Sequence, residues 1–314
     1  MRLKSPRSRP ARIVAALLMG GLLWLATPAV GAAPLTGTLG ATGSDTMASL
    51  VLRWGEALAV RHPGITMQLQ AGGSSIAAAA LVAGTTRLAP MSRPLSRAER
   101  ERFEQRYGYP PRELRVARDA LVVVVHRHNP LRAITRQTLD ALFSSTLACG
   151  GEAPIRRWDD LPPPLDWPFG HVALHGRNQA SGTFDLFRQR ALCGGRFRAD
   201  ISEYPGSSAV IAAVGSAPNA MGYSGYHHLT PMVRALALIN AEGEAIDPTP
   251  ETIQSGEYPL ARNLYLYVNA APGTPLPPAE RAFIELILSD EGQQIVRAAG
   301  FVPLADEALE VSQN

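Results

Sequence analysis

The sequence predicts an α/β protein in which mainly parallel strands alternate with helices, arranged as two lobes joined by a two-segment hinge. Three observations carry this reading. Short β-branched runs alternate with segments of helical spacing along most of the 314 residues. Two runs, 121–125 and 264–268, are apolar or aromatic throughout and read as buried strands. Between them lies a further set of strands and helices, so the chain leaves a first lobe and returns to it.

The elements follow in order. Residues 37–41 read as the first strand. Ser44 can cap a helix over 45–61, whose apolar face is Met47, Leu50, Val51, Trp54 and Leu58. Pro63-Gly64 ends it. Residues 65–70 alternate like a strand, and Gly72-Gly73-Ser74-Ser75 turns into a helix over 76–83. Residues 97–107 form a charged helix with a solvated face. The buried run 121–125 gives way to His126-Arg127-His128-Asn129-Pro130, the first crossing between lobes. A short helix over 135–143, a Pro-rich loop over 161–168 and a strand over 172–175 come next. Ser181-Gly182-Thr183 opens a helix bearing Phe184, Phe187 and Leu192. A helix over 209–214 and a strand over 220–223 precede the return crossing at 264–268. A C-terminal helical region over 277–299 turns Phe283, Ile284, Ile287, Leu288 and Ile295 inward. Lobe one thus comprises 34–125 and 265–314, lobe two 126–264, with hinges near 125–129 and 265–269.

Residues 1–33 stand apart. Arg2, Lys4, Arg7, Arg9 and Arg12 form a basic head without an acid, followed by an apolar run over 13–26 and by small residues at Val30-Gly31-Ala32. This is the layout of a cleaved secretory signal peptide, which makes the mature chain an exported one. Net charge is +3, from 30 basic and 27 acidic residues. Taking away the five leader cations leaves 25 against 27, or −2, which gives no support to nucleic-acid binding. Cys149 and Cys193 are the only cysteines, and an even count in an exported chain predicts a disulfide between them.

Three segments share one design: Gly43-Ser44-Asp45-Thr46, Gly72-Gly73-Ser74-Ser75 and Ser181-Gly182-Thr183. In each, a turn of small hydroxylated residues precedes a helix. A helix start leaves unpaired N–H groups and a partial positive charge, glycine admits a ligand to the backbone, and hydroxyls add donors. Together these suit a tetrahedral oxyanion. A single such turn is usually only an N-cap. Arg177 lies four residues before Ser181, where a guanidinium could clamp two oxygens of one anion. These features alone leave phosphate, sulfate, molybdate or a carboxylate open.

The chain resembles the periplasmic phosphate-binding proteins of bacterial ABC phosphate importers. Gly43-Ser44-Asp45-Thr46 and Gly73-Ser74-Ser75 resemble that family's two anion loops. Arg177-Asn178-Gln179-Ala180-Ser181-Gly182-Thr183 resembles its Arg-x-x-x-Ser-Gly-Thr signature, the most specific of the set. Ala220-Met221-Gly222-Tyr223-Ser224-Gly225-Tyr226, Ser289-Asp290-Glu291-Gly292-Gln293 and Gly300-Phe301-Val302-Pro303-Leu304 resemble later landmarks in the same order. The resemblance implies a type II periplasmic-binding fold, a cleft closing on one phosphate, and an inner-membrane ABC permease as partner. It implies Ser44, Thr46, Ser74, Ser75, Arg177, Ser181, Gly182 and Thr183 as ligands, with no cofactor, no metal and a monomeric chain. Many family members place an Asp after the second helix to accept the proton of hydrogen phosphate. Here that stretch is Ala89-Pro90-Met91-Ser92-Arg93, which makes Ser92 and Arg93 donor candidates. Asp45 is the nearest alternative acceptor, or else favours its own helix start.

Other classes fit less well. No G-x-S-x-G elbow is present, which argues against a serine hydrolase. His126, His128, His227 and His228 lack the companions of a zinc site and read as hinge and surface residues. Tyr223 and Tyr226 read as lining the cleft, or as packing in the core or at a lobe interface. A phosphate-binding protein of extracellular adhesive or signalling type would keep the same pocket.

Overall fold

The computed structural model describes residues 34–305. The expected leader lies outside the described residues. The chain opens with β1 (Thr36–Thr42), a 3-10 turn at Asp45–Met47, α1 (Ala48–Arg61), β2 (Gly64–Gln70), α2 (Ser74–Ala83), β3 (Leu88–Met91), α3 (Arg97–Tyr107) and β4 (Arg112–His126). It continues through β5 (Ala133–Thr135), α4 (Arg136–Phe143), β6 (Ala173–Arg177), α5 (Gly182–Arg190), β7 (Ser202–Tyr204), α6 (Ser207–Ser216) and β8 (Ala220–Gly225). It closes with β9 (Val233–Ala235), β10 (Ala237–Ile239), β11 (Ala245–Ile246), α7 (Pro250–Ser255), β12 (Ala261–Val268), α8 (Pro278–Ile287) and α9 (Asp290–Ala298).

One large sheet runs β2-β1-β3-β12-β4-β8-β6-β7, with β9 also on β4, and a small sheet runs β11-β10-β5. The sheet is mixed rather than mainly parallel. β1 pairs parallel with β2 and β3, and β6 with β7 and β8. β4 and β12 run antiparallel to each other, β12 also to β3 and β4 also to β8. The reason is topological: β4 carries the chain away from the first strands and β12 brings it back, so the two run in opposite senses.

β4 is far longer than the expected run at 121–125. Its first half alternates charged residues with Leu114 and Val116 and pairs with β12 from Arg112↔Val268 to Ala120↔Ala261. Its second half pairs with β8 from Leu121↔Gly225 to Val125↔Met221. The change of partner falls at Ala120–Leu121, several residues before the expected crossing. Apolar side chains gather on both sides of this change. One cluster packs Leu50, Trp54, Leu266 and Phe283, and a smaller one packs Leu81, Phe103 and Tyr267. A third packs Val123, Phe143, Trp158, Phe187 and Tyr223. Burying each such side chain contributes about 1.5–3 kcal/mol.

The C-terminal helical region consists of two helices. Ser289 Oγ accepts from the Gly292 amide at 3.2 Å and caps α9. Gly292 sits so close to α8 that a Cβ would lie 2.0 Å from the Leu286 carbonyl oxygen. Among the described residues, no helix is long and apolar enough to cross a membrane.

Cys149 and Cys193 form the expected disulfide, with Cα atoms 5.3 Å apart and 44 positions apart in sequence. It ties the segment after α4 to the segment after α5. Reduction should lower the unfolding free energy by about 4 kcal/mol in the chain-entropy account. Urea unfolding with and without reductant measures this, and matching midpoints would contradict it.

Candidate anion-binding site

The three hydroxyl-rich turns meet, although Thr46 and Thr183 stand 137 positions apart. The first turn is set by Gly43, whose amide donates to the Gln70 carbonyl at 2.9 Å. A Cβ on Gly43 would lie 2.2 Å from the Pro90 carbonyl oxygen, so only glycine lets the turn lie against β3. The second turn is bonded to the first: Gly73 N–H donates to the Gly43 carbonyl at 2.8 Å. Gly73 has a φ of 114°, in the region that favours glycine. The third turn docks on the second through the Ser75 amide, which donates to the Ala180 carbonyl at 3.2 Å.

The side chains then converge. Thr46 Oγ1 lies 3.3 Å from Thr183 Oγ1, and Ser74 Oγ lies 3.3 Å from Ser92 Oγ. The Ser92 amide also donates to Ser74 Oγ at 3.1 Å. A Cβ on Gly182 would lie 2.4 Å from Ser74 Oγ and 2.7 Å from Ser92 Oγ, so the first residue of α5 sits directly on these hydroxyls. Ser44, Thr46, Ser74, Ser92, Ser181 and Thr183 are all buried. Ser181 Oγ accepts from the Thr183 amide at 3.1 Å and caps α5. The starts of α2 and α5 therefore bring their positive ends to one place.

The arginines divide into three roles. Arg177, at the end of β6, is buried and donates to Ser207 Oγ and the Pro205 carbonyl. Its Nη1 lies 3.3 Å from Asp45 Oδ2, and its Nε has no partner. Burial pulls its pKa down even though Asp45 works the other way. Asp45 Oδ2 also accepts from the Ser207 amide at 3.0 Å, so it serves the start of α6 rather than its own helix. Tyr223 is a core residue, stacked on Phe187 with centroids 4.1 Å apart, and its hydroxyl accepts from the Arg177 amide.

Arg93 is different. Its guanidinium bonds Glu99 through both oxygens at 2.8 Å, Asp185 at 2.8 Å, the Pro94 carbonyl and Ser75 Oγ. All its donors are taken, so the structure leaves Arg93 none for a ligand. It ties α3, α2 and α5 together instead, while its neighbour Ser92 joins the hydroxyl cluster.

Arg262, at the start of β12, was not among the residues expected from sequence. It is buried, and its Nη1 donates to Thr183 Oγ1 at 3.0 Å. Nε and Nη2 donate to Asp119 Oδ2 at 3.0 and 2.7 Å. Arg262 and Asp119 are direct cross-strand partners in the β4–β12 register. Burial works to raise the Asp119 carboxyl, but Arg262 and His227 outweigh it and hold its pKa at about 2. The available signal was weak: a charged residue shortly before each of the two long apolar runs. His227, read as a surface or hinge residue, is instead packed on Phe301 with centroids 3.8 Å apart. His228 beside it is pushed down to about 3, mainly by burial.

No histidine hydrogen-bonds the clustered hydroxyls among the described residues; they pair with one another and with Arg262. The PBP superfamily domain profile matches residues 28–291. The chain is 43% identical over 280 residues to the phosphate-binding protein PstS of Pseudomonas aeruginosa, spanning 89% of this chain and 87% of that protein. A phosphate ABC transporter substrate-binding structure from Clostridium perfringens, with phosphate bound, superposes with a TM-score of 0.70 at 22% identity, covering 86% of this chain and all of that one. An ABC-type phosphate transport receptor from Vibrio cholerae gives 0.66 at 20% identity, covering 84% and 99%. The chain belongs to the PstS family of phosphate-binding proteins, within the PBP superfamily. This is a family of binding proteins, not of enzymes.

The Asp119–Arg262 pair makes a prediction. Asp119 lies below its ordinary value of 3.8, so its stabilisation is full above about pH 4 and is lost as pH falls through about 2. Asp119→Asn strands the buried Arg262 charge and should cost roughly 3–5 kcal/mol at pH 7. Urea unfolding at pH 7 and pH 2 checks this, with the gap between wild type and variant closing at the lower pH. A cost under about 1 kcal/mol at pH 7 would mean that the pair does not balance Arg262.

Proposed function

We propose that this chain captures one inorganic phosphate between two lobes and delivers it to an ABC permease, working in the periplasm after losing residues 1–33. One observation carries the reading: Thr46, Ser74, Ser92, Gly182 and Thr183, from four separate segments, come together beside the buried Arg262, while the buried Arg177 meets Asp45 next to Thr46. The ligand set is Ser44, Thr46, Ser74, Ser92, Gly182 and Thr183, with the charge of Arg177 and Arg262. Ser181 holds the start of α5, and Ser75 and Arg93 join the turns. The hydroxyls pair weakly with one another at 3.3 Å. Turning them to an anion replaces neutral hydrogen bonds with charge-assisted ones, which are roughly twice as strong.

The lobes in this reading meet where β4 changes partner. Ala120 faces Ala261, and the Leu121 amide donates to the Leu260 carbonyl at 3.0 Å. Both crossings then lie side by side, at 120–121 and 260–261, and a hinge there opens the hydroxyl cluster between the lobes.

A single titration tests binding and closure together. Calorimetry of the mature chain should give one tight phosphate per chain, and X-ray scattering should show compaction on the same addition. Arg177→Ala should cost roughly 2–5 kcal/mol of affinity. Tighter binding of sulfate, arsenate or molybdate than of phosphate would move the chain to another oxyanion. An unchanged affinity in Arg177→Ala would remove that residue from the site.

Delivery is tested in cells. Deleting the gene should lower phosphate uptake from dilute medium. Unaltered uptake would place the chain among phosphate-binding proteins of adhesive or signalling type.

A further inference from the structure

Arg262, which donates to Thr183, also lines a cavity of about 290 Å³. Four arginines line it: Arg93, Arg118, Arg190 and Arg262. No carboxylate is among its lining residues. Asp119 neutralises Arg262, and Glu99 and Asp185 neutralise Arg93. Arg118 and Arg190 have no ion-pair partner among the described residues. Backbone carbonyls hold them in place: Arg118 donates to Gln254 and Arg190 to Ala261.

Arg118 is half-buried and Arg190 exposed, so their guanidinium groups give the cavity positive charge that no side chain balances. Burial, then Arg115 nearby, pulls the Arg118 guanidinium down. The volume would hold roughly ten waters, ample for one small oxyanion with part of its hydration.

We propose that this cavity is a second anion site, taking a small multiply charged oxyanion of the class of inorganic phosphate. Arg118 and Arg190 supply its donors, and Arg262 is a wall shared with the hydroxyl cluster. The cavity is open and two of its arginines are at least partly exposed, so binding is weak and sensitive to salt. It concentrates the anion next to the primary cluster, as a positively charged vestibule does.

Equilibrium dialysis of radiolabelled phosphate at low ionic strength tests this on the mature chain. Wild type should saturate in two steps, one tight and one weak. Arg118→Gln with Arg190→Gln should abolish the weak step and leave the tight one within about twofold. Arg190→Gln alone, at an exposed position, should weaken the second step about tenfold without disturbing the fold. Arg177→Ala should weaken the tight step and spare the weak one. A single step in wild type, or a weak step that survives the double substitution, would overturn the proposal. A weak step without a tight one would instead defeat the phosphate-capture reading and leave this site standing.

Discussion

Three guanidinium groups are buried around one cluster of hydroxyls, and each must be neutralised where it sits. Leaving a buried charge unpaired costs several kcal/mol, so the chain has to bring a carboxylate to each. Asp119 reaches Arg262 across paired strands, Asp45 reaches Arg177, and Glu99 with Asp185 reaches Arg93. Apart from Arg93 with Glu99, each pairing joins segments far apart in sequence. β12 must return beside β4 in one register, the turn after β1 must approach the start of α6, and α5 must approach α3. The mixed sheet is the consequence, because a strand that returns beside the one that left runs against it.

The hydroxyls add a second layer. Helix starts are anion sites only when their amides and caps face a common point. Here Gly43, Gly73 and Gly182 permit the close approach, since a side chain at any of them would collide with backbone or with a neighbouring hydroxyl. Positive charge is then distributed over two helix ends and two arginines. The carboxylates that hold the arginines keep the local net charge low.

Much of this was legible in the sequence. α1 and α3 were read nearly to the residue because their apolar or charged faces repeat at helical spacing. The three turns were legible because glycine and hydroxyl residues cluster locally. β3 was seen as a motif and not a strand, since four buried residues carry no periodicity. The first half of β4 was missed because Arg112, Glu113, Arg115, Arg118 and Asp119 mask its alternation with Leu114 and Val116. β5, β7, β9, β10 and β11 are two or three residues long and leave no pattern. Arg262 and the engagement of Arg93 depend on strand register and on contacts between distant helices, which local sequence does not encode.

The central claim is that these donors share one anion. A crystal structure of the phosphate-loaded chain tests it most directly. The account predicts a phosphate within about 3 Å of Thr46, Ser74, Ser92 and Thr183 oxygens and of the Gly182 amide, with the Thr46–Thr183 and Ser74–Ser92 pairs turned toward it. Phosphate found elsewhere, with those hydroxyls still bonded to each other, would contradict it.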